Sequence, residues 1–109
     1  MITLKSAKKL DKLGMEYDFN YEYISLWDKN NRNYIRLPNP TIDELLQKLP
    51  ITINGREYDL TLERGIDNKW SVLYENYESI LVCEQHKNLA EALSRLLIKI
   101  TEEKLNGKE

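Results

Sequence analysis

Cys83 and His86 are the side chains whose types most directly suggest catalysis. They are the only cysteine and the only histidine of the chain, and they are three residues apart. A thiol nucleophile needs a base within hydrogen-bond reach and a third group that orients that base. In an extended segment, however, residues three apart point to opposite faces. We therefore expect Cys83 to fill the core and His86 to lie in a loop, and we predict no enzymatic activity and no catalytic residue.

Metal sites and phosphate-binding loops are also disfavoured. One thiol and one imidazole without a second pair of ligands are too few for zinc, and no spacing of carboxylates marks an acid–base pair. The glycines do not form a glycine-rich loop; they are Gly14, Gly55, Gly65 and Gly107. The sequence predicts no metal and no cofactor.

A second set of side chains suits ligand binding. Its members are two aromatic and two cationic residues close together in the chain: Trp27, Arg32, Tyr34 and Arg36. Guanidinium groups form forked hydrogen bonds with phosphate, and aromatic rings stack on bases. Tyr34 and Arg36 would share one face of an extended segment. The alternative is that Tyr34 is half-buried and both arginines are only solvated.

Residues 15–38 contain six of the ten aromatic residues. From Tyr17 to Tyr23 the rings occupy odd positions with polar residues between them, and this period of two predicts an extended segment with one aromatic face. That stripe could pack against a helix as core, line a pocket, or form a surface shared with a second copy, because aromatic residues are enriched at interfaces.

The patterns in the rest of the chain predict helices and antiparallel strands. Helices are predicted over residues 4–13, 41–49 and 88–103, because Thr41 and Asn88 are good caps and Pro50 ends the second helix. Asn54-Gly55 predicts a hairpin, and alternating runs near 57–63, 69–75 and 79–83 predict a meander. We expect a single α+β domain over residues 1–109, whose small antiparallel sheet (hairpin plus meander), mainly from residues 51–85, packs between or against helices.

Leucines and other large apolar residues are expected to form the core. The predicted members are Leu45, Leu49, Leu60, Leu62, Trp70, Val72, Val82, Leu89, Leu93 and Leu96. Leu93, Leu97, Ile98 and Ile100 make the apolar stripe of the last helix wider than one sheet face needs. This width raises the possibility of a homodimer through that helix, with coverage of the sheet as the alternative.

Composition limits the classes of function. The 109 residues are 41% hydrophobic and 31% charged, a balance typical of a folded single domain. A net charge of -2 argues against broad binding to nucleic acid. A single cysteine excludes a disulfide within the chain and fits a reducing compartment. Because the start lacks an apolar signal segment and no run approaches the length of a membrane span, we expect a cytoplasmic protein without membrane contact.

Several short segments together resemble a family of small proteins from bacteriophages and prophages of gut bacteria. They are Ser6-Ala7-Lys8-Lys9-Leu10 followed by Leu13-Gly14, Leu37-Pro38, the helix from Pro40 to Leu46 with Leu49-Pro50, Lys69 to Tyr74, and Asn88 to Leu93. The resemblance implies a sandwich of helices around a small antiparallel sheet.

Small phage proteins of this size often look like counter-defence factors, including sponges that sequester nucleotide signals of Thoeris-type or CBASS-type immunity. The resemblance thus leads us to expect a phage-encoded, non-enzymatic protein that sequesters a nucleotide-derived immune signal in the host cytoplasm, acting as a homo-oligomer. Trp27, Arg32, Tyr34 and Arg36 would bind that ligand. The alternative is a protein–protein inhibitor, or an antitoxin-like or adaptor-like module, that acts on a host protein.

Overall fold

The computed structural model describes residues 2–13 and 23–103. Their order is α1 (Leu4–Lys12), β1 (Tyr23–Asp28), β2 (Asn33–Pro38), α2 (Ile42–Lys48), β3 (Thr52–Ile53), β4 (Arg56–Glu57), β5 (Asp59–Arg64), β6 (Trp70–Glu75), β7 (Ile80–His86) and α3 (Leu89–Glu102). This arrangement confirms the predicted α+β class. The expected aromatic stripe falls outside the described residues, except that Tyr23 begins β1.

Each helix begins where a side chain accepts a hydrogen bond from its first turn. Thr3 accepts from the N–H of Ser6 at 3.2 Å, and Thr41 accepts from the N–H of Glu44 at 3.1 Å. In α3 the cap is Asn88, whose side chain accepts from Glu91. Such caps satisfy backbone donors that have no partner within the helix. The helix starts near Thr41 and Asn88 were therefore predictable from local chemistry.

The described strands form three separate antiparallel sheets. β5, β6 and β7 make the predicted meander, and β3 and β4 make the predicted hairpin. Its turn residues Asn54 and Gly55 have φ values of 52° and 76°, the left-handed region that this type of turn requires. β1 and β2 form a further hairpin that pairs from Tyr23 with Pro38 to Asp28 with Asn33. The sequence predicted an extended β2 but not this pairing.

α3 lies at the centre of the core. It packs against β6 and β7 on one side, and against α1 and α2 elsewhere. Leu93, Leu97 and Ile100 are fully buried, and Ile98 is 5% exposed. The wide stripe is thus covered by the chain's own helices, so its width does not require a second copy.

Most of the expected core residues are in or against the core. Leu45, Leu49, Val72, Val82, Leu93 and Leu96 are buried, while Leu60, Leu62 and Leu89 are partly buried against them. Trp70 is only half-buried. The sequence missed Tyr74, which is fully buried and donates its hydroxyl to the carbonyl of Pro50 at 2.7 Å. This hydrogen bond gives the buried phenol a partner, as a polar group inside a core requires.

A membrane-spanning helix needs about 20 consecutive, mostly apolar residues. None of the helices within residues 2–13 and 23–103 is long and apolar enough to cross a membrane.

Candidate ligand-binding surface

The β1–β2 hairpin brings three of the four predicted binding residues onto one face. Trp27 lies directly opposite Tyr34, and Ser25 lies directly opposite Arg36. Side chains of directly opposed residues share a face of an antiparallel pair, and so do residues two apart in one strand. Trp27, Tyr34 and Arg36 therefore form one surface, which we call the aromatic face.

The two rings of the aromatic face touch each other and solvent. Their centroids are 5.1 Å apart and their planes meet at 65°, an edge-to-face contact. Trp27 is 48% exposed and Tyr34 is 69% exposed. Tyr34 is thus exposed and not half-buried, because β2 directs it away from the core that Leu37 enters. Part of each ring remains open to a ligand.

The two predicted arginines occupy different places. Arg36 is exposed on the aromatic face, two residues beyond Tyr34, and also takes part in a further interaction within the chain. Arg32 is exposed in the turn that joins β1 to β2, with a φ of 51°. The left-handed region is uncommon for a residue with a side chain. Strand register therefore places Arg36, but not Arg32, beside the rings.

Both rings of the aromatic face are open to solvent as far as the described residues show. Two of the cavities formed by those residues, of about 400 and 230 Å³, lie elsewhere along the seam between α1 and α3. Ligands of drug size are usually enclosed in pockets of roughly 300–1,000 Å³. A ligand on the aromatic face would therefore be held from one side by the described residues.

The larger cavity is a charged groove, which we call the α1–α3 groove. Its lining comes from α1, α3 and β7: Thr3, Lys5, Ser6, Lys9, Glu84, Arg95, Ile98, Lys99, Glu102 and Glu103. Two ion pairs cross it, Lys9 with Glu102 and Lys99 with Glu84, each at 3.4 Å. These side chains are partly exposed, so each pair contributes little to stability.

Glu91 lies next to this groove and is completely buried. Its carboxylate accepts hydrogen bonds from the backbone N–H of Thr3, the hydroxyl of Ser6 and Nε of Arg95, each at 2.6 Å. Burial raises the pKa of Glu91, but the hydrogen bonds from Ser6, Thr3 and Arg95 outweigh burial and hold the pKa below its ordinary value. Glu91 is therefore ionised at neutral pH, and it ties α1 to α3.

The sequence did not reveal this role of Glu91. Local sequence shows Glu91 only as an acid three residues after the cap Asn88. The available signal was its position beside the apolar stripe, with Arg95 four residues later on the same side of the helix. Its other partners come from α1, which no local pattern connects to α3.

Cys83 and His86 lie on opposite faces of β7. Cys83 is opposite Leu73 and exposed, so the expectation that it fills the core is wrong; the strand period directs it away from α3. His86 is opposite Trp70 and ends β7, so it is not a loop residue. Its Nδ1 accepts a hydrogen bond from the N–H of Asn88 at 3.0 Å. The structure thus does not bring thiol and imidazole together as nucleophile and base.

No group of three or more histidine, cysteine, aspartate or glutamate side chains within residues 2–13 and 23–103 could hold a metal ion.

Comparison of the chain with models of protein families, with curated proteins and with solved structures gives no match. The aromatic face is a surface of the described residues that exposes two large rings and a guanidinium group together.

Proposed function

We propose that the protein is a non-enzymatic binding protein whose aromatic face contacts the ligand. The observation that carries this proposal is the exposed cross-strand pair of Trp27 and Tyr34 with Arg36 on the same face. Large apolar surface is normally buried, and its clustering on a protein surface usually marks a binding site. The cationic side chain beside the rings adds a partner for negative charge.

The ligand that best fits these groups is nucleotide-like. A base would stack on Trp27 or Tyr34, and phosphate oxygens would accept hydrogen bonds from Arg36, with Arg32 reaching from the turn. Together with the resemblance to phage proteins, this chemistry supports a counter-defence factor that sequesters a nucleotide-derived immune signal in the cytoplasm of the host.

The strength of binding on an open face is limited. Stacking contributes about 1–3 kcal/mol for each base, and a charge-assisted hydrogen bond about 1.5–3 kcal/mol. Sequestering a scarce signal requires a nanomolar Kd, or about -12 kcal/mol. One ring and one arginine do not reach that value, so a second protein surface must close over the ligand. A second copy of the chain is the simplest source of that surface.

Calorimetric titration with cyclic nucleotides and ADP-ribose derivatives tests the proposal. Tyr34→Ala should weaken binding about 5- to 150-fold, the equivalent of one stacked base. Tyr77→Ala is the matched control, because Tyr77 is 97% exposed in the turn between β6 and β7. Equal affinity of the two variants, or no binding by the wild-type protein, would contradict the nucleotide proposal.

A protein partner is the second candidate, and the openness of the aromatic face favours it. Tryptophan, tyrosine and arginine are the residues that most often dominate the energy of protein–protein contacts. On this proposal the protein inhibits a host protein, or acts as an antitoxin-like or adaptor-like module. Affinity purification from host cells should then recover a partner that Trp27→Ala loses and Tyr77→Ala retains, while no nucleotide changes the melting temperature.

A further inference from the structure

The charges of the α1–α3 groove cancel as a whole but are unevenly distributed along it. The cations of its lining are Lys5, Lys9, Arg95 and Lys99, and the carboxylates are Glu84, Glu102, Glu103 and the buried Glu91 beside it. The groove therefore offers no excess charge to a ligand that is only an anion or only a cation. What it offers depends on where its unpaired charges lie.

The end of the groove near the start of α3 is positive. Arg95 contacts the buried carboxylate of Glu91 through Nε alone, and among the described residues its two Nη atoms have no hydrogen-bond partner. Lys5 is adjacent to Ser6, which binds the same carboxylate, and has no ion pair within the part of the chain that the structure describes. Glu91 compensates one of these two cations. This end thus combines one uncompensated positive charge with a guanidinium group held in place, which suits a carboxylate.

The opposite end of the groove is negative. Glu102 and Glu103 lie together at the end of α3, and both line the groove. Lys9 pairs with Glu102 at 3.4 Å, but Glu103 has no cationic partner within residues 2–13 and 23–103. One negative charge is therefore uncompensated at this end, which suits an ammonium group.

The charges at both ends are placed against the dipoles of their helices. Lys5 lies in the first turn of α1, and Glu102 and Glu103 lie at the end of α3. A helix favours carboxylates in its first turn and cations in its last turn. Helix stability therefore does not account for these positions, whereas a ligand that carries both charges would make use of them.

The distance between the two ends indicates the size of such a ligand. Arg95 and Glu102 are seven residues apart in α3, or about 10 Å along its axis at about 1.5 Å per residue. An extended peptide spans about 3.3–3.6 Å per residue, so three residues match this length. Between the ends, Lys99 and Glu84 pair with each other and Ile98 is almost buried. The middle of the groove is thus suited to an uncharged segment.

We propose that the α1–α3 groove binds a short peptide of about three residues through its two free termini. The peptide carboxylate accepts hydrogen bonds from Lys5 and from the Nη atoms of Arg95, and the peptide ammonium group donates to Glu102 and Glu103. The volume of about 400 Å³ lies in the range of small-ligand sites.

This site does not depend on the proposed function. The aromatic face belongs to β1 and β2, whereas the lining of the groove comes from α1, α3 and β7. Trp27→Ala should therefore bind the peptide as the wild-type protein does. Changes in the groove should likewise leave binding at the aromatic face unchanged.

NMR titration with triglycine tests the proposal, because triglycine carries both terminal charges and no charged side chain. A Kd of about 1 mM is expected for a groove that is open to water. Acetylation of its amino terminus or amidation of its carboxyl terminus removes one charge, and each should weaken binding about tenfold, or about 1.4 kcal/mol. Equal binding of triglycine and its two blocked forms, or no binding at about 10 mM triglycine, would overturn the proposal.

Two matched pairs of variants locate the site. Lys5→Ala should weaken triglycine binding about tenfold, whereas Lys8→Ala changes an exposed lysine of α1 outside the groove lining and should have no effect. Glu103→Gln should also weaken binding, and Glu63→Gln, at an exposed position of β5, should not. All four side chains are exposed, so the melting temperatures should stay near the wild-type value. Equal effects within either pair would also overturn the proposal.

Discussion

α3 and the β1–β2 hairpin differ in the burial of their large side chains. α3 buries its leucines and isoleucines, and even its carboxylate Glu91 has three hydrogen-bond donors in the interior. The hairpin instead exposes Trp27 and Tyr34, and its main contact with the helices is between β2 and α1. The contrast indicates that the core depends on α3, whereas the proposed binding function depends on the hairpin. Substitutions in α3 should therefore change folding, and substitutions on the hairpin should change binding.

The largest expected effect is at the centre of α3. Leu93 is fully buried, and Leu93→Ala should lower the free energy of unfolding by about 2–5 kcal/mol because it leaves a cavity. Urea denaturation followed by circular dichroism measures this loss. Leu4→Ala is the control, since Leu4 is 41% exposed on α1, and it should cost much less. A loss below about 0.5 kcal/mol for Leu93→Ala is typical of a surface residue, and it would contradict the placement of Leu93 on α3 in the core.

The pH dependence of folding stability tests the comparison further, through Glu91. Its pKa in the folded protein is lower than the value of about 4.5 expected without these contacts, so its ionised form adds stability above pH 4.5. That contribution is lost as the pH falls through the lower folded value. Glu91→Gln should cost about 1–3 kcal/mol at neutral pH, because it disturbs buried hydrogen bonds. Glu91→Gln should also lose less stability than the wild-type protein as the pH falls.

Denaturation of both proteins between pH 7 and pH 3 provides this measurement. Glu102→Gln is the matched control, because Glu102 lies on the same helix but its side chain is 55% exposed. A surface ion pair contributes little, so Glu102→Gln should follow the wild-type curve. Identical curves for Glu91→Gln and Glu102→Gln would show that the buried contacts do not stabilise the fold.

The smallest expected change in stability is on the aromatic face. An edge-to-face ring pair contributes about 0.5–1.5 kcal/mol beyond its burial, and solvent exposure places Trp27 and Tyr34 at the low end. A double-mutant cycle with Trp27→Ala and Tyr34→Ala should therefore give a coupling near 0.5 kcal/mol. A coupling above about 2 kcal/mol would mean that the ring pair contributes substantially to folding stability, and the contrast with α3 would disappear.

The parts of the structure that were predictable have local causes. Thr41 and Asn88 cap their helices through residues three positions later, and Asn54-Gly55 needs only its own backbone to form a turn. Alternation in β6 likewise identified Val72 as buried. Propensity, capping and strand period act over a few residues, so a single sequence contains them.

The parts that were missed depend on distant partners. The shared face of Tyr34 and Arg36 follows from the strand period, but the placement of Trp27 on that face needed the β1–β2 register, and the position of Arg32 needed a turn in the left-handed region. Free cysteine usually packs as a small apolar side chain, which favours a core position for Cys83, whereas its position in β7 directs it to the exposed face. Glu91 could not be interpreted without α1. Each of these depends on which surfaces meet after folding.

The contacts of Glu91 also determine how the protein can assemble and come apart. Thr3 and Ser6 are 88 and 85 residues away from Glu91 in the chain, so the first and last described helices must meet before the carboxylate has all of its partners. Until then water must hydrate that charge, and the first turn of α3 cannot become dry. The docking of α1 and the dehydration of Glu91 are therefore coupled, and detachment of α1 would expose this carboxylate to water.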